Sequence, residues 1–233
     1  MLRCDLCQRG CLGTLPLFKG LPVADIRDIQ RLVQHSTYER GDMVIHERDK
    51  LFGLYIVESG QAKAFTQNAQ GNEYVLRLLQ AGDFYGELAL VAPTNAPSSL
   101  QALTPLKLCS INGPDLRQYL LSHAAAALSI LEAVATRLRQ SEQLTETLGL
   151  LDSRQRVAAL LLQLAERQGR QTPTGIRLQL ELNRTELANM VGLRQETFSR
   201  CLSEFRREGW VTTEGHRIVY LTNTDALRNL RAL

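Results

Sequence analysis

Asn183-Arg-Thr-Glu-Leu-Ala-Asn-Met-Val-Gly-Leu-Arg-Gln-Glu-Thr-Phe-Ser-Arg-Cys-Leu-Ser-Glu-Phe-Arg-Arg-Glu-Gly209 reads as two short helices hinged at Gly192. Thr185 is placed to cap the first helix, which buries Leu187 and Val191. Gly192 supplies the tight turn, and Leu193 plugs the angle between the helices. Phe198, Leu202 and Phe205 recur at helical spacing on the inner face of the second helix, and Gly209 stops it. Its outer face then carries Gln195, Glu196, Ser199 and Arg200. These side chains suit base edges: Arg bonds guanine O6 and N7 together, Glu accepts from cytosine N4, and Ser meets either kind of edge. Arg184, Arg206 and Arg207 are placed for phosphates, with Thr185 beside them. Residues 210–221 follow as a hairpin turning at Glu214-Gly215, a wing. A plain three-helix unit with a solvated polar face is the competing reading.

Charge agrees with a reader of nucleic acid at this end. The whole chain of 233 residues carries only +3. From Asp152 onward it holds 13 Arg, no Lys and 9 acidic residues, whereas the part before is nearly neutral. The domain opens with an amphipathic helix at 157–167, a Gly- and Pro-bearing loop at 168–175 and an alternating strand at 176–182.

Upstream, residues 123–148 are rich in Ala, Leu, Glu, Gln and Arg, and contain no Gly or Pro. Leu131, Val134, Leu138 and Leu148 fit a two-stranded coiled-coil seam interrupted by Ser141 and Thr145, so this helix is expected to dimerise. Between residues 14 and 112 short apolar runs (43–46, 54–57, 62–66, 74–79 and 106–111) alternate with turn signals such as Ser59-Gly60, Gly71-Asn72 and Gly82-Asp83. Strands at spacings near ten residues predict a sandwich or barrel. A helix over 21–33 precedes them. The predicted organisation is an arm over 1–13, a β domain over 14–113, a dimerisation helix over 114–151 and a DNA-binding domain over 152–233.

Five cysteines remain: Cys4, Cys7, Cys11, Cys109 and Cys201. Three thiols within eleven residues read as a metal or redox site. Cys201 reads as a small packed side chain, and His35, His46, His123 and His216 show no metal-type spacing. Nothing matches a catalytic triad, a P-loop or a supported carboxylate pair, so an enzyme is not expected. The chain has neither a signal-peptide core nor about 18 uninterrupted apolar residues, so a cytoplasmic protein without a membrane span is expected.

Taken together the chain resembles the Crp/Fnr family of bacterial transcription regulators over residues 14–230. The resemblance is carried by the Gly-turn ladder, by Gly82-Asp-Phe-Tyr-Gly-Glu-Leu-Ala89 and by Glu196-Thr-Phe-Ser-Arg200. It implies an α+β fold: an N-terminal jelly-roll β-barrel of cyclic-nucleotide-binding type, a long dimerisation helix and a C-terminal winged helix-turn-helix. The cyclic-AMP branch grips the cyclic phosphate with an Arg-Ser pair. Here that stretch reads Ala96-Pro97-Ser98-Ser99-Leu100, and no Arg lies between Arg77 and Arg117, which disfavours a cyclic nucleotide. The chain is more similar to the oxygen-sensing Fnr branch. There, 99–111 resembles a strand presenting a distant cluster cysteine, which falls on Cys109, while Cys4, Cys7 and Cys11 fall on the other ligands; the gap from Cys7 to Cys11 is shorter than in that branch. The resemblance implies a 4Fe–4S cluster on Cys4, Cys7, Cys11 and Cys109, redox or oxygen sensing, a homodimer on double-stranded DNA with TTGAT-like half-sites, and contact with RNA polymerase. By chemistry alone four thiolates also suit zinc or a thiol–disulfide switch. A small-molecule effector in the β domain, or a zinc-stabilised adaptor that does not bind DNA, remains as a rival reading.

Overall fold

The computed structural model describes residues 15–18 and 21–232; Cys4, Cys7 and Cys11 lie outside the described residues. Its elements run β-rich then α-rich. A 3-10 turn at Pro16–Phe18 leads into helix α1 (Val23–Leu32). Ten strands follow: β1 (Val33–Tyr38), β2 (Met43–Ile45), β3 (Lys50–Leu51), β4 (Gly53–Ser59), β5 (Gln61–Gln67), β6 (Glu73–Gln80), β7 (Phe84–Tyr85), β8 (Thr94–Asn95), β9 (Ser99–Ala102) and β10 (Leu106–Asn112). Helices α2 (Gly113–Ser122), α3 (Ala124–Leu150) and α4 (Ser153–Gln168) come next, then β11 (Arg170–Thr172) and β12 (Gly175–Gln179). The chain ends on α5 (Arg184–Met190), α6 (Gln195–Arg207), β13 (Val211–Glu214), β14 (Ile218–Leu221) and α7 (Thr224–Ala232). By contacts the chain forms two units: one runs to Thr66 and resumes over Leu76–Gln140, and the other takes Gln67–Val75 and the residues from Ser141 onward.

In the first unit two antiparallel sheets, ordered β1-β10-β4-β7 and β2-β9-β5-β6, make the jelly-roll expected of this sequence. The period-2 rule sorts side chains to the two faces of the first sheet. Val57, Leu106 and Leu108 point inward, joining Ala62, Ala64, Leu79 and Leu100 between the sheets. Leu54, Ile56, Cys109 and Ile111 point outward and are covered by Leu17, Phe18, Ile29, Leu116, Ala126 and Ile130. The outer face of this sheet is thus a second apolar core, roofed by helices and by the segment at 15–18.

Helix α3 carries two apolar faces. Ala126, Ser129 and Ile130 are buried, and Ala133 and Val134 pack on the same cluster. Leu128, Leu131 and Leu138 stand about 60% exposed on the other face. Of the residues expected at a seam, Leu131 and Leu138 lie exposed beside Leu128, whereas Val134 packs on the buried cluster. The end of α3 is closed by Arg156, whose Nη2 and Nε donate to the carbonyls of Leu148 and Leu151 at 2.6 and 2.8 Å.

In the second unit α4, α5 and α6 pack with a sheet ordered β11-β12-β14-β13. Phe198, Phe205, Leu178, Val211, Val219 and Leu227 are fully enclosed. The segment 168–175 differs from its sequence reading: Arg170–Thr172 forms an edge strand on β12 instead of a loop.

Candidate nucleic-acid interface and sensor site

Helix α5 starts on a capping box. Asn183 accepts from the Glu186 N–H at 2.9 Å, and Glu186 accepts in return from the Asn183 N–H at 2.8 Å. Asn183, rather than Thr185, is therefore the cap, because Thr185 sits one residue inside the helix and its hydroxyl donates to Gln195 Oε1 at 2.6 Å. That bond ties the first turn of α5 to the first turn of α6. Asn183→Ala is expected to cost about 0.5–2 kcal/mol of stability in urea unfolding, with Asn183→Asp close to the parent.

The turn between the helices runs through Gly192 at φ +64, a left-handed value that glycine takes without strain. Leu193 N–H then returns to the Ala188 carbonyl at 3.0 Å. Phe198, Cys201, Leu202 and Phe205 form the buried side of α6. Gln195, Glu196 and Arg200 consequently lie exposed and Ser199 half-buried on the opposite side. Arg154 of α4 anchors the far end, bonding Glu208 at 2.8 Å and lying over the rings of Phe205 and Trp210. Sequence reasoning missed Arg154, since its partners lie about fifty residues away. Burial raises the Cys201 thiol's pKa, keeping it a neutral packed group.

Arg206 lies close enough to Arg184 to disfavour its charge. Burial first, and Arg206 second, lower the Arg184 pKa. Its Nη1 is shut from solvent without a hydrogen-bond partner among the described residues. Two neighbouring guanidinium groups of this kind suit a phosphate oxygen between them. Gly215 at φ +60 turns the wing, where Arg217 pairs with Glu181 at 3.7 Å.

Within the β domain Gly86 adopts φ +93, and a Cβ there would meet the Gly53 carbonyl oxygen at 2.2 Å. The next residue, Glu87, pairs with Arg137 of α3, whose guanidinium also lies over the Phe84 ring. The stretch that lacks the Arg-Ser pair is structurally engaged. Tyr85 donates to the Ser98 carbonyl at 2.7 Å, and Ser99 Oγ accepts from the Glu47 N–H at 2.9 Å.

Cys109 lies on the helix-covered face of its sheet, away from the space between the sheets, and is 1% exposed. The strand suggested for 99–111 is broken at 103–105 into β9 and β10, and Cys109 sits at the middle of β10. His35 of β1 is its direct cross-strand partner. Glu58 lies on β4, two residues beyond Ile56, which pairs with Cys109 from the other side. Cys109 Sγ is 3.5 Å from His35 Nδ1 and 3.8 Å from Glu58 Oε2, and His35 Nδ1 is 3.6 Å from that same oxygen. The structure thus brings His35 into a ligand-type group with Cys109, which spacing along the chain does not signal. Among the described residues no helix is long and apolar enough to cross a membrane.

Two family matches cover these regions. Residues 35–123 match the cyclic nucleotide-binding domain, and residues 155–230 match the Crp-like helix-turn-helix domain. The chain is 29% identical over 220 residues to a CRP-like cAMP-activated global transcriptional regulator of Mycobacterium tuberculosis, covering 94% of this chain and 98% of that protein. It is 28% identical over 215 residues to the probable transcriptional regulator flp of Lacticaseibacillus casei, covering 92% and 95%. In fold it is similar to FixK2 from Bradyrhizobium japonicum, with a TM-score of 0.77 at 22% identity, over 86% of this chain and 98% of that one.

Proposed function

We propose that this chain is a DNA-binding transcription regulator of the Crp/Fnr type and that it acts as a redox-responsive homodimer on a palindromic TTGAT-like site. Cys4, Cys7, Cys11 and Cys109 hold a 4Fe–4S cluster in this reading. The protein works in the cytoplasm and contacts RNA polymerase.

The observation that supports the sensing reading is the setting of Cys109. It shares one apolar cluster with Leu17 and Phe18, just after the three arm cysteines, and with Ala126 and Ile130 of α3. Cys11 stands four positions before Leu15 in the chain, a contour of at most about 14 Å. Together with Cys109 the arm thiolates make up the four-thiolate set of a 4Fe–4S cluster, whose oxidant-labile chemistry supplies the signal when it is bound. Ser129 of α3 donates to the Leu17 carbonyl at 2.9 Å, fixing the root of the arm to the helix that also carries Leu131 and Leu138. Whatever holds the arm therefore biases the seam. A coupling of about 1–3 kcal/mol, typical between linked sites, gives a useful change in DNA affinity.

On DNA the N-terminal part of α6 enters the major groove, and the two copies sit about 34 Å apart. Arg200 reads a base, while Arg184 and Arg206 clamp phosphate. Arg200→Ala is expected to cost about 1–3 kcal/mol per half-site and to relax preference at one base pair. Arg206→Ala is expected to weaken specific and random duplexes alike and to lower the salt slope by about 1 per protomer. Binding titrations on both duplexes across a salt series separate the two. Equal losses from Arg200→Ala on specific and random DNA would overturn its base-reading role.

A second reading is favoured by the match of residues 35–123 to the cyclic nucleotide-binding domain: an effector in the β domain sets DNA affinity. Full, effector-dependent DNA binding by a chain with Cys4, Cys7, Cys11 and Cys109 all changed to serine would establish it. The same chain failing to bind DNA with cyclic AMP present would favour the cluster.

A further inference from the structure

The group His35, Glu58 and Cys109 has the dimensions of a face of a tetrahedral metal site. A zinc-type ion bonds thiolate sulfur at about 2.3 Å and imidazole nitrogen or carboxylate oxygen at about 2.0–2.2 Å. Tetrahedral angles then place any two of those donors about 3.3–3.6 Å apart. The three observed edges are 3.5, 3.6 and 3.8 Å, so two fall within that range and the Cys109 to Glu58 edge is about 0.2 Å longer. The His35 to Glu58 edge is longer than an ordinary N–H···O hydrogen bond, whose donor and acceptor lie about 2.7–3.2 Å apart, yet it suits an ion between them.

The donors are also held in place before any ion arrives. They come from three neighbouring strands of one sheet, β1, β10 and β4, on the same face. Strand-borne ligands keep their spacing better than loop-borne ones. Glu58 is 8% exposed in its side chain and His35 is 25% exposed, so the group sits at the margin of the core with one side toward solvent. A thiolate and a carboxylate beside a neutral imidazole offset the charge of a divalent ion. Their mixed sulfur, nitrogen and oxygen character selects a borderline-soft cation over magnesium or calcium.

We propose that Cys109, His35 and Glu58 form a mononuclear site for a zinc-type divalent cation, with its fourth position open to water. This site does not rest on the iron–sulfur reading, because it needs none of the arm cysteines. The two compete for one sulfur, so a cation bound here occupies Cys109 whenever the four-thiolate set is not assembled.

The test uses the full chain with Cys4, Cys7 and Cys11 changed to serine, prepared metal-free and titrated with Co2+. The expected result is one equivalent bound, with a thiolate-to-cobalt charge-transfer band, strong tetrahedral ligand-field bands in the visible, and displacement by Zn2+. In that background His35→Ala and Glu58→Gln are each expected to weaken Co2+ binding at least tenfold, and Cys109→Ser to remove the charge-transfer band. Circular dichroism checks that each variant is folded, with His35→Asn standing in if His35→Ala is not. A folded triple-serine chain that binds no stoichiometric Co2+ would overturn the proposal, as would binding indifferent to both His35→Ala and Glu58→Gln. Failure of the iron–sulfur reading appears separately, as iron-free anaerobic protein with its arm cysteines intact.

Discussion

Replacing Leu131 and Leu138 together by glutamate is expected to leave each protomer folded and to weaken self-association on the order of 10⁴-fold. Both side chains are about 60% exposed on the isolated protomer, so the change removes little intramolecular packing. In a two-stranded seam each becomes a knob buried by the partner helix. Fully burying a leucine contributes about 1.5–3 kcal/mol, and the pair of substitutions removes four leucines from the dimer. With about 60% of each side chain left to bury, the four together come to about 4–7 kcal/mol, before any repulsion between the introduced carboxylates. Because two half-sites must be held together, affinity for a palindromic duplex is expected to fall with the dimer. Ile130→Ala should behave oppositely, losing about 2–5 kcal/mol of protomer stability, since Ile130 packs on the outer face of its own β domain. Sedimentation velocity over a concentration series distinguishes the two outcomes. An undiminished dimer in the double-glutamate chain would move the interface off this stripe.

Cys109→Ser is expected to remove bound iron and sulfide and to erase the difference in DNA affinity between anaerobic and air-exposed protein. That difference should be about 5–150-fold in the parent, the span of a 1–3 kcal/mol coupling. The substitution preserves shape, and the serine hydroxyl has His35 and Glu58 within reach as partners, so the fold is expected to survive. Cys201→Ser gives the contrast. That thiol is buried in α6, so its loss should lower stability without touching the redox response. Paired anaerobic and aerobic DNA-binding titrations of both variants provide the measurement. A redox response that persists in Cys109→Ser would remove this residue from the sensor.

The parts of the fold that local chemistry specifies were readable in the chain. The helix-turn-helix followed from Gly192, Gly209 and the Phe198, Leu202, Phe205 stripe, and the β domain from alternating runs between turn residues. Features decided by distant partners were not. Strand β1 reads Val-Gln-His-Ser-Thr-Tyr, with no apolar alternation, and is a strand because β10 pairs with it along its length. Strand β11 is hidden in a Gly- and Pro-bearing segment and exists only as an edge on β12. On α3, periodicity shows apolar residues at helical spacing but not which of two faces meets the β domain's core, and Val134, expected on the open face, packs against that core. The capping residue lies two residues before the expected Thr185, because Asn183 and Thr185 both suit a cap and the reciprocal bond with Glu186 decides between them. His35 and Cys109 are separated by 74 residues and meet through strand pairing alone.

Iron and acid-labile sulfide, measured on strictly anaerobic protein with DNA affinity taken on the same sample before and after oxygen, test the sensing claim most directly. The expected result is about four iron and four sulfide per protomer, lost together with tight DNA binding on exposure to oxygen. Iron-free anaerobic protein that binds its DNA equally well before and after oxygen would contradict it.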